Sequence, residues 1–230
     1  MVLPQNIKLN EHINQLRPSA TLAINERSAQ LIRSGKTVYR WGFGQSPFPV
    51  PEEVVESLCA HAAVKDYLPV RGLPELREAV AGFNHRKLGI PTDADQVLIG
   101  PGSKELIYNL QMALEGVLLL PSPSWVSYEP QAHLAQKRTV WIETHESDGW
   151  RLTPEALRAA CRELGDVPKI LILNYPNNPV GTTYSAGQLS ELADAFREAG
   201  ILVVADEIYG ELDHAGAFVS LAKFYPEGTI

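Results

Sequence analysis

Polar residues that could bind a ligand follow four apolar runs of this chain. The first group, Gly102-Ser103-Lys104, opens a predicted helix, where free backbone N–H groups, a hydroxyl and the helix dipole suit a phosphate. The glycine spacing matches neither the dinucleotide fingerprint nor the P-loop, so a nucleotide is not specifically indicated. The alternative interpretation is an ordinary strand-to-helix turn, in which Lys104 is a solvated residue.

An aromatic side chain and paired amides follow the next runs. Trp125 stands shortly after a buried run, where it could stack on a planar ring or simply anchor a loop to the core. Asn177 and Asn178 stand in a sharp turn that ends at Gly181. They offer amide donors to a ligand, or serve the turn alone.

A carboxylate ends the last strongly apolar run. Asp206 follows residues 201–205 directly, and Tyr209 adds a phenol three residues later. Burying a carboxylate is costly unless it is paired, and a cationic ring nitrogen on a ligand would supply the pair. A structural ion pair and a helix cap are the alternatives.

The apolar runs themselves predict the elements that position these groups. They are continuous rather than alternating, which is typical of strands buried on both faces of a parallel sheet between helices. In such a sheet ligands bind beyond the carboxyl ends of the strands. The predicted fold class is therefore α/β, with strand candidates at Val97–Gly100, Val117–Leu120, Arg138–Glu143, Lys169–Asn174 and Ile201–Asp206.

Helix signals lie between and before the strand candidates. Residues 1–16 are predicted to form an arm, residues 18–33 a helix, and residues 41–51 an irregular loop rich in glycine and proline. Further helices are predicted to start at Glu52, Pro74 and Ser103. Another is predicted to start at Pro154, with Thr153 as its N-cap. The last is predicted to start after Ser185, which forms a capping box with Gln188, and to end at Gly200.

Composition excludes several function classes. The 230 residues carry a net charge of −7 without a block of like charges, so neither a nucleic-acid footprint nor a polybasic membrane patch is predicted. No apolar run suits a signal peptide or a membrane span, and two distant cysteines do not form a disulfide scaffold, so a cytoplasmic protein is expected. The scattered histidines lack metal-ligand spacing, so no metal site is predicted.

Together and in this order, the four groups resemble the class I/II aminotransferases, which are pyridoxal-phosphate (PLP) enzymes of fold type I. Residues 174–181 (NYPNNPVG) and 205–209 (ADEIY) carry most of the likeness, and residues 67–77 match the family's Tyr-x-x-x-x-Gly-x-x-Glu-Leu-Arg stretch. The likeness covers residues 41–230. It implies a three-layer α/β/α fold with a mixed, mostly parallel sheet in the order 3-2-4-5-6-7-1, of which the five candidates would be strands 1 to 5.

The resemblance implies a ring-binding role for four side chains. Asp206 would hold the proton on the pyridine nitrogen of PLP, and Asn178 and Tyr209 would hydrogen-bond its phenolic oxygen. Trp125 would stack on the ring. These four residues are called the predicted ring site below.

The resemblance also implies roles outside the ring. The predicted phosphate loop consists of Gly102, Ser103 and Lys104. Tyr67 would reach the phosphate in the neighbouring subunit, which implies a homodimer with shared sites. Gly44 would lie beside the carboxylate of the substrate.

The family's Schiff-base lysine is expected beyond Ile230. It follows the strand after the Asp-x-x-Tyr motif, and residues 229–230 are predicted to begin that strand. Lys223 is rejected as this lysine because a turn at 225–228 follows it. Residues 41–230 are therefore expected to form a PLP-binding large domain that lacks its last two strands and has an apolar strand edge. Residues 1–40 are expected to join a small domain. The chain as given is expected to be inactive.

Three functions fit these residues. An aminotransferase that moves an amino group between an amino acid and a 2-oxo acid is favoured. A carbon–sulfur or other eliminating lyase on the same scaffold shares the cofactor cradle, and a non-catalytic PLP-binding regulatory module is the third possibility. Substrate preference is expected to enter through the loop at 42–48.

Overall fold

The computed structural model describes residues 8–14, 16, 20–40, 44, 46–216 and 218–230. These residues fall into two compact units, Met1–Leu68 and Pro69–Ile230. Parts of three predicted segments lie outside the described residues, namely residues 1–7 and 15 of the arm, residues 18–19 of the helix, and residues 41–43 and 45 of the loop. None of the described helices is both long enough and apolar enough to cross a membrane.

The first unit is helical in its described part. The helices are α1 (Glu11–Asn14), α2 (Ala20–Arg33) and α3 (Glu52–His61). The predicted helix at 18–33 and the predicted start at Glu52 are confirmed, whereas α1 is a short helix within the stretch predicted as an arm.

The second unit alternates helices and strands. Its α-helices and strands are α4 (Pro74–Phe83), α5 (Ser103–Ala113), β1 (Val117–Ser122), α6 (Tyr128–Leu134), β2 (Thr139–Glu143), α7 (Pro154–Leu164), β3 (Lys169–Asn174), α8 (Ala186–Ala199) and β4 (Ile201–Asp206). A π-helical segment at Asn84–Leu88 and five single 3-10 turns, at 94–96, 146–148, 210–212, 221–223 and 226–228, complete its described helical structure.

Local sequence signals set the helix boundaries in this unit. Thr153 accepts a hydrogen bond from the N–H of Ala156 at 3.2 Å, so it caps α7 as predicted. Ser185 and Gln188 form a reciprocal capping box on α8. These caps satisfy N–H groups that a helix leaves without intrahelical partners, which is why the predicted starts are confirmed.

The described sheet is parallel throughout and has the order β2-β1-β3-β4. This is the 3-2-4-5 part of the predicted order. Asn174 and Asp206 are register partners at the carboxyl ends of β3 and β4. The residues that follow the strands therefore emerge at the same edge of the sheet.

Both faces of the sheet are buried, which confirms the three-layer architecture. Leu119 and Leu171 contribute to one apolar cluster, packed with side chains of α7 and α8 such as Leu157 and Phe196. The neighbouring residues of β1 and β3 contribute to a second cluster on the opposite face, with side chains of α5 and α6. Side chains alternate between faces along a strand, so a strand with both faces buried must be apolar throughout.

The predicted strand at Val97–Gly100 is wrong for this structure. The segment is extended but belongs to no strand, and the N–H of Ile99 bonds the carbonyl of Arg71 at 3.0 Å instead. A strand exists only when a neighbour takes up its N–H and C=O groups, and no described strand lies beside this segment. Apolar composition alone therefore mispredicted its state.

Residues 229–230, predicted to begin a strand, form an isolated β-bridge to β4 in this structure. Thr229 forms a parallel bridge with Val203. Ile230 donates to the carbonyl of Val203 and accepts from the N–H of Ala205, both at 2.9 Å. The apolar edge of β4 that the sequence predicts is thus partly covered by these two residues.

Candidate functional site

Asp206 lies at the centre of the described site, at the carboxyl end of β4. Its side chain is buried, with 8% of the residue exposed. Oδ2 accepts a hydrogen bond from the hydroxyl of Tyr128 at 2.6 Å, and Oδ1 accepts from the N–H of Ile208 at 3.3 Å. Among the described residues no lysine, arginine or histidine forms an ion pair with it, so the alternative of a structural ion pair finds no support.

Tyr128 is the main residue that sequence reasoning missed here. It is fully buried at the start of α6, and burial, the charge of Asp206 and the hydrogen bond to it all raise the pKa of the phenol. The hydroxyl therefore stays protonated and remains a donor at any ordinary pH. A buried phenol needs a partner, which was the available sequence signal, but the sequence could not say that the partner stands 78 residues away.

Asn174 joins the turn after β3 to the end of β4. Its Nδ2 donates to the backbone carbonyl of Asp206 at 2.9 Å, and its Oδ1 accepts from the N–H of Asn178 at 2.7 Å. The amide of Asn178 then donates to the hydroxyl of Tyr209 at 3.4 Å. Asn178, Asp206 and Tyr209 of the predicted ring site are thus connected through one network.

Trp125 is half-buried beside this network. Its ring meets that of Tyr128 edge to face, with 5.3 Å between centroids. The ammonium group of Lys104 lies 5.4 Å from the centroid of the indole. The ring packs against the core, as the anchoring interpretation predicts, and it also stands next to the other predicted site residues.

The predicted phosphate loop forms the start of α5. Gly102 is the N-cap residue with φ 112°, a conformation that side chains disfavour, and none of the described side chains caps this helix. The helices α7 and α8 have side-chain caps, whereas α4 and α6 lack one as α5 does. The first N–H groups of α5, at Ser103 and Lys104, are therefore available to an anion.

Replacing Gly102 by alanine should weaken binding of a phosphate-bearing ligand. A Cβ has open space there, so the cost is backbone strain of about 1–2 kcal/mol, or roughly a tenfold loss of affinity if the loop relaxes away from the bound geometry. Calorimetric titration with pyridoxamine phosphate and with pyridoxamine would show the loss for the phosphorylated compound alone. Gly187→Ala, in a regular turn of α8, is the matched control and should leave both affinities unchanged. An equal loss of affinity for both compounds in Gly102→Ala would contradict a phosphate site at the start of α5.

A second buried carboxylate lies next to Asp206 but does not face the same partners. Oε1 of Glu207 accepts from the hydroxyl of Tyr175 at 2.5 Å, from Oγ of Ser220 at 2.9 Å and from the N–H of Leu221 at 3.1 Å. Burial raises the pKa of Glu207, although these hydrogen bonds oppose the shift. This Glu207 cluster attaches the segment before Ile230 to the end of β4.

Three other predicted positions are also located. Lys223 is exposed in a 3-10 turn, and its ammonium lies 3.7 Å from where a Cβ on Gly89 would stand. Gly44 and Tyr67 belong to the first unit, in which Tyr67 is fully exposed. The structure thus brings together the ring-site residues and the phosphate loop within the second unit.

The sequence and the fold both have close counterparts among known proteins. Residues 36–227 match the family described as aminotransferase class I and II. Aspartate aminotransferase of Geobacillus stearothermophilus is 35% identical, over 96% of this chain and 57% of its own length. Aspartate/prephenate aminotransferase of Thermus thermophilus is 33% identical, over 96% of this chain and 58% of its own length.

Solved structures of aminotransferases also resemble this chain. The structure of aspartate aminotransferase from Thermus thermophilus with maleate superposes with a TM-score of 0.89 at 32% identity, covering 97% of this chain and 59% of that one. Aspartate aminotransferase from Rhizobium meliloti superposes with a TM-score of 0.88 at 29% identity, covering 97% of this chain and 58% of that one. The chain thus spans between half and two thirds of the length of these relatives.

Proposed function

The chain belongs to the class I and II aminotransferase family, and from this premise we propose that the whole protein transfers an amino group between an amino acid and a 2-oxo acid. Enzymes of this family use pyridoxal 5′-phosphate. In this proposal residues 41–230 form most of the cofactor-binding domain, and residues 1–40 contribute to a second, smaller domain. The observation that carries the proposal is the buried Asp206 carboxylate, which lacks a cationic partner among the described residues.

The described residues fit the cofactor. A buried carboxylate without a counter-charge is unfavourable, and a protonated pyridine nitrogen is a planar cation that would neutralise it. The uncapped start of α5 fits a phosphate group, and the half-buried indole of Trp125 fits the face of a ring. A nitrogen cation, an aromatic face and a phosphate are the three parts of pyridoxal phosphate that a protein can bind without a covalent bond.

Each residue would then perform a defined task. When bound, pyridoxal phosphate accepts the electrons released as a bond to the alpha carbon of the amino acid breaks. Asp206 would keep the ring nitrogen protonated through its charge, and Asn178 and Tyr209 would orient the ring by hydrogen bonds to its phenolic oxygen. Ser103 and Lys104 would hold the phosphate, largely through backbone N–H groups. Gly44 is proposed to lie beside the substrate carboxylate.

The names of the relatives direct the choice of a first substrate. Aspartate is the amino donor to test, because the two curated relatives cited above are named for aspartate or for aspartate and prephenate. The whole protein, supplied with pyridoxal phosphate, aspartate and a 2-oxo acid, should form a new amino acid and a new 2-oxo acid in equal amounts. Ammonia release that does not depend on the 2-oxo acid would contradict transfer and indicate elimination instead.

We also propose that the protein acts as a homodimer in which Tyr67 serves the phosphate site of the partner. The complete exposure of Tyr67 in its own unit supports an intermolecular role. In the dimer Tyr67→Phe should weaken pyridoxamine phosphate binding roughly tenfold, because a hydrogen bond to a charged group is lost. Tyr39→Phe, another exposed tyrosine of the same unit, is the control and should leave affinity unchanged.

A mixed dimer distinguishes sharing from a role within one subunit. One subunit carries Tyr67→Phe and the other carries Asp206→Asn. If Tyr67 crosses the interface, both changes fall in one site and the other site is wild type. Half of the sites should then bind with wild-type affinity in equilibrium dialysis. Two weakened sites, or a monomer in sedimentation, would contradict the proposal.

A further inference from the structure

Helix α6 contacts both predicted halves of the cofactor site. Its first residue, Tyr128, donates to Oδ2 of Asp206 at 2.6 Å. One turn later Gln131 donates through Nε2 to the backbone carbonyl of Lys104, in the first turn of α5, at 2.8 Å. Residues three apart lie on the same face of a helix, so one face of α6 contacts both the ring carboxylate and the phosphate loop.

Packing and hydrogen bonds fix the side chains of Tyr128 and Gln131. Tyr128 is 0% exposed and Gln131 is 7% exposed, and the ring of Trp125 meets that of Tyr128 edge to face. Nε2 of Gln111 donates to Oε1 of Gln131 at 3.2 Å, which fixes the direction of its amide. Neither side chain has room to act as a mobile group, so each can impose a position on its partner.

We propose that α6 positions the cofactor site, with Tyr128 fixing the Asp206 carboxylate and Gln131 fixing the start of α5. This inference rests on the proposed function. Neither residue would touch the cofactor, because each acts through another group of the protein. The hydroxyl of Tyr128 fixes the position of Oδ2 of Asp206 by a hydrogen bond at 2.6 Å, and a carboxylate held beside the ring nitrogen favours the protonated form of a bound pyridine ring.

The test of Tyr128 uses pyridoxamine 5′-phosphate as the probe. This compound has the ring nitrogen and the phosphate but no aldehyde, so its binding does not require a reactive lysine. Tyr128→Phe should raise the dissociation constant at least about tenfold, because a hydrogen bond to a charged group is lost. It should also lower the pH at which the bound ring nitrogen loses its proton, which is read from the near-ultraviolet spectrum of the ligand.

Tyr184→Phe is the matched control. Tyr184 is also buried, and its hydroxyl accepts from the N–H of Leu152 at 2.9 Å, away from Asp206. Its loss should lower the melting temperature while changing affinity less than about twofold. Wild-type affinity and an unchanged ring titration in Tyr128→Phe would overturn the proposal. Failure of the wild-type protein itself to bind the probe would instead overturn the proposed function.

A double-mutant cycle shows whether Tyr128 acts through Asp206. In an Asp206→Asn background the effect of Tyr128→Phe on affinity should largely vanish, since the charge it supports is gone. An undiminished effect would contradict the proposal. If Tyr128→Phe does not fold, folding of the double variant supports an effect transmitted through the unpaired carboxylate, and its failure to fold contradicts one.

Gln131→Leu tests the other end of α6. It removes the donor to the Lys104 carbonyl at nearly constant volume. Affinity for pyridoxamine phosphate should fall roughly fivefold, the value of one hydrogen bond, while affinity for pyridoxamine without the phosphate stays unchanged. An equal loss for both compounds would show that Gln131 does not act on the phosphate end.

Discussion

Asp206→Asn is expected to lower kcat/KM for amino transfer by about 10²–10³-fold, the cost of removing one partner from a buried charge pair. Asparagine has nearly the same shape, and its carbonyl oxygen can still accept from Tyr128 or from the N–H of Ile208. The fold should therefore persist while the counter-charge for the ring nitrogen is lost. Steady-state kinetics with aspartate and titration with pyridoxamine phosphate would both show the change.

The control for this substitution is Asp166→Asn, in the exposed loop between α7 and β3. It makes the same change of charge away from the site and should leave both measurements within experimental error of wild type. Equal kcat/KM values for Asp206→Asn and wild type would contradict the role of Asp206 on which the proposed function rests. A loss of folding in Asp206→Asn, seen by circular dichroism, would assign the residue a structural role instead.

The Glu207 cluster should produce the second large effect, on stability rather than on chemistry. Glu207→Ala removes the acceptor for the hydroxyls of Tyr175 and Ser220, whereas the N–H of Leu221 still donates to the Tyr175 hydroxyl at 2.6 Å. Buried donors without partners should cost about 2–4 kcal/mol of unfolding free energy in a urea titration. Glu198→Ala, which removes an exposed ion pair with Arg158, should cost less than about 1 kcal/mol.

Glu207→Gln separates the hydrogen bonds from the charge. All three donors reach Oε1, so a correctly oriented glutamine can keep them. Burial raises the pKa of Glu207 in the folded state, so its contribution to stability is complete below the unfolded pKa and is lost as the pH rises through the folded value. Relative to wild type, Glu207→Gln should therefore become more stable from pH 4 to pH 8. A constant difference across that range would contradict the shifted pKa.

The strand ends were the most informative part of the sequence. Both β3 and β4 have the predicted bounds, and Asn174, Asp206 and Tyr209 fall beyond or at their carboxyl ends as expected. A strand buried on both faces has to be apolar throughout, so the point where polar residues resume is also the point where the strand ends. Fold class and sheet order followed from this pattern and from the family resemblance.

Val97–Gly100 shows the limit of the same reasoning. Its composition resembles that of β1, yet of these two segments β1 alone is paired with neighbouring strands in the described sheet. The composition of a segment indicates that it is buried or extended, whereas strand formation also requires a neighbouring strand from elsewhere in the chain.

The sequence by itself determined the fold class, the capped helix starts and the residue types at the strand ends, because each is encoded in a few neighbouring residues. Only the tertiary structure decided which buried group serves which. Tyr128 meets Asp206 across 78 residues, and Glu207 meets Tyr175 across 32. The sequence indicates that a buried polar side chain needs a hydrogen-bond partner, but tertiary packing decides which distant residue that partner is. The positioning role of α6 and the Glu207 cluster could for this reason be found only in three dimensions.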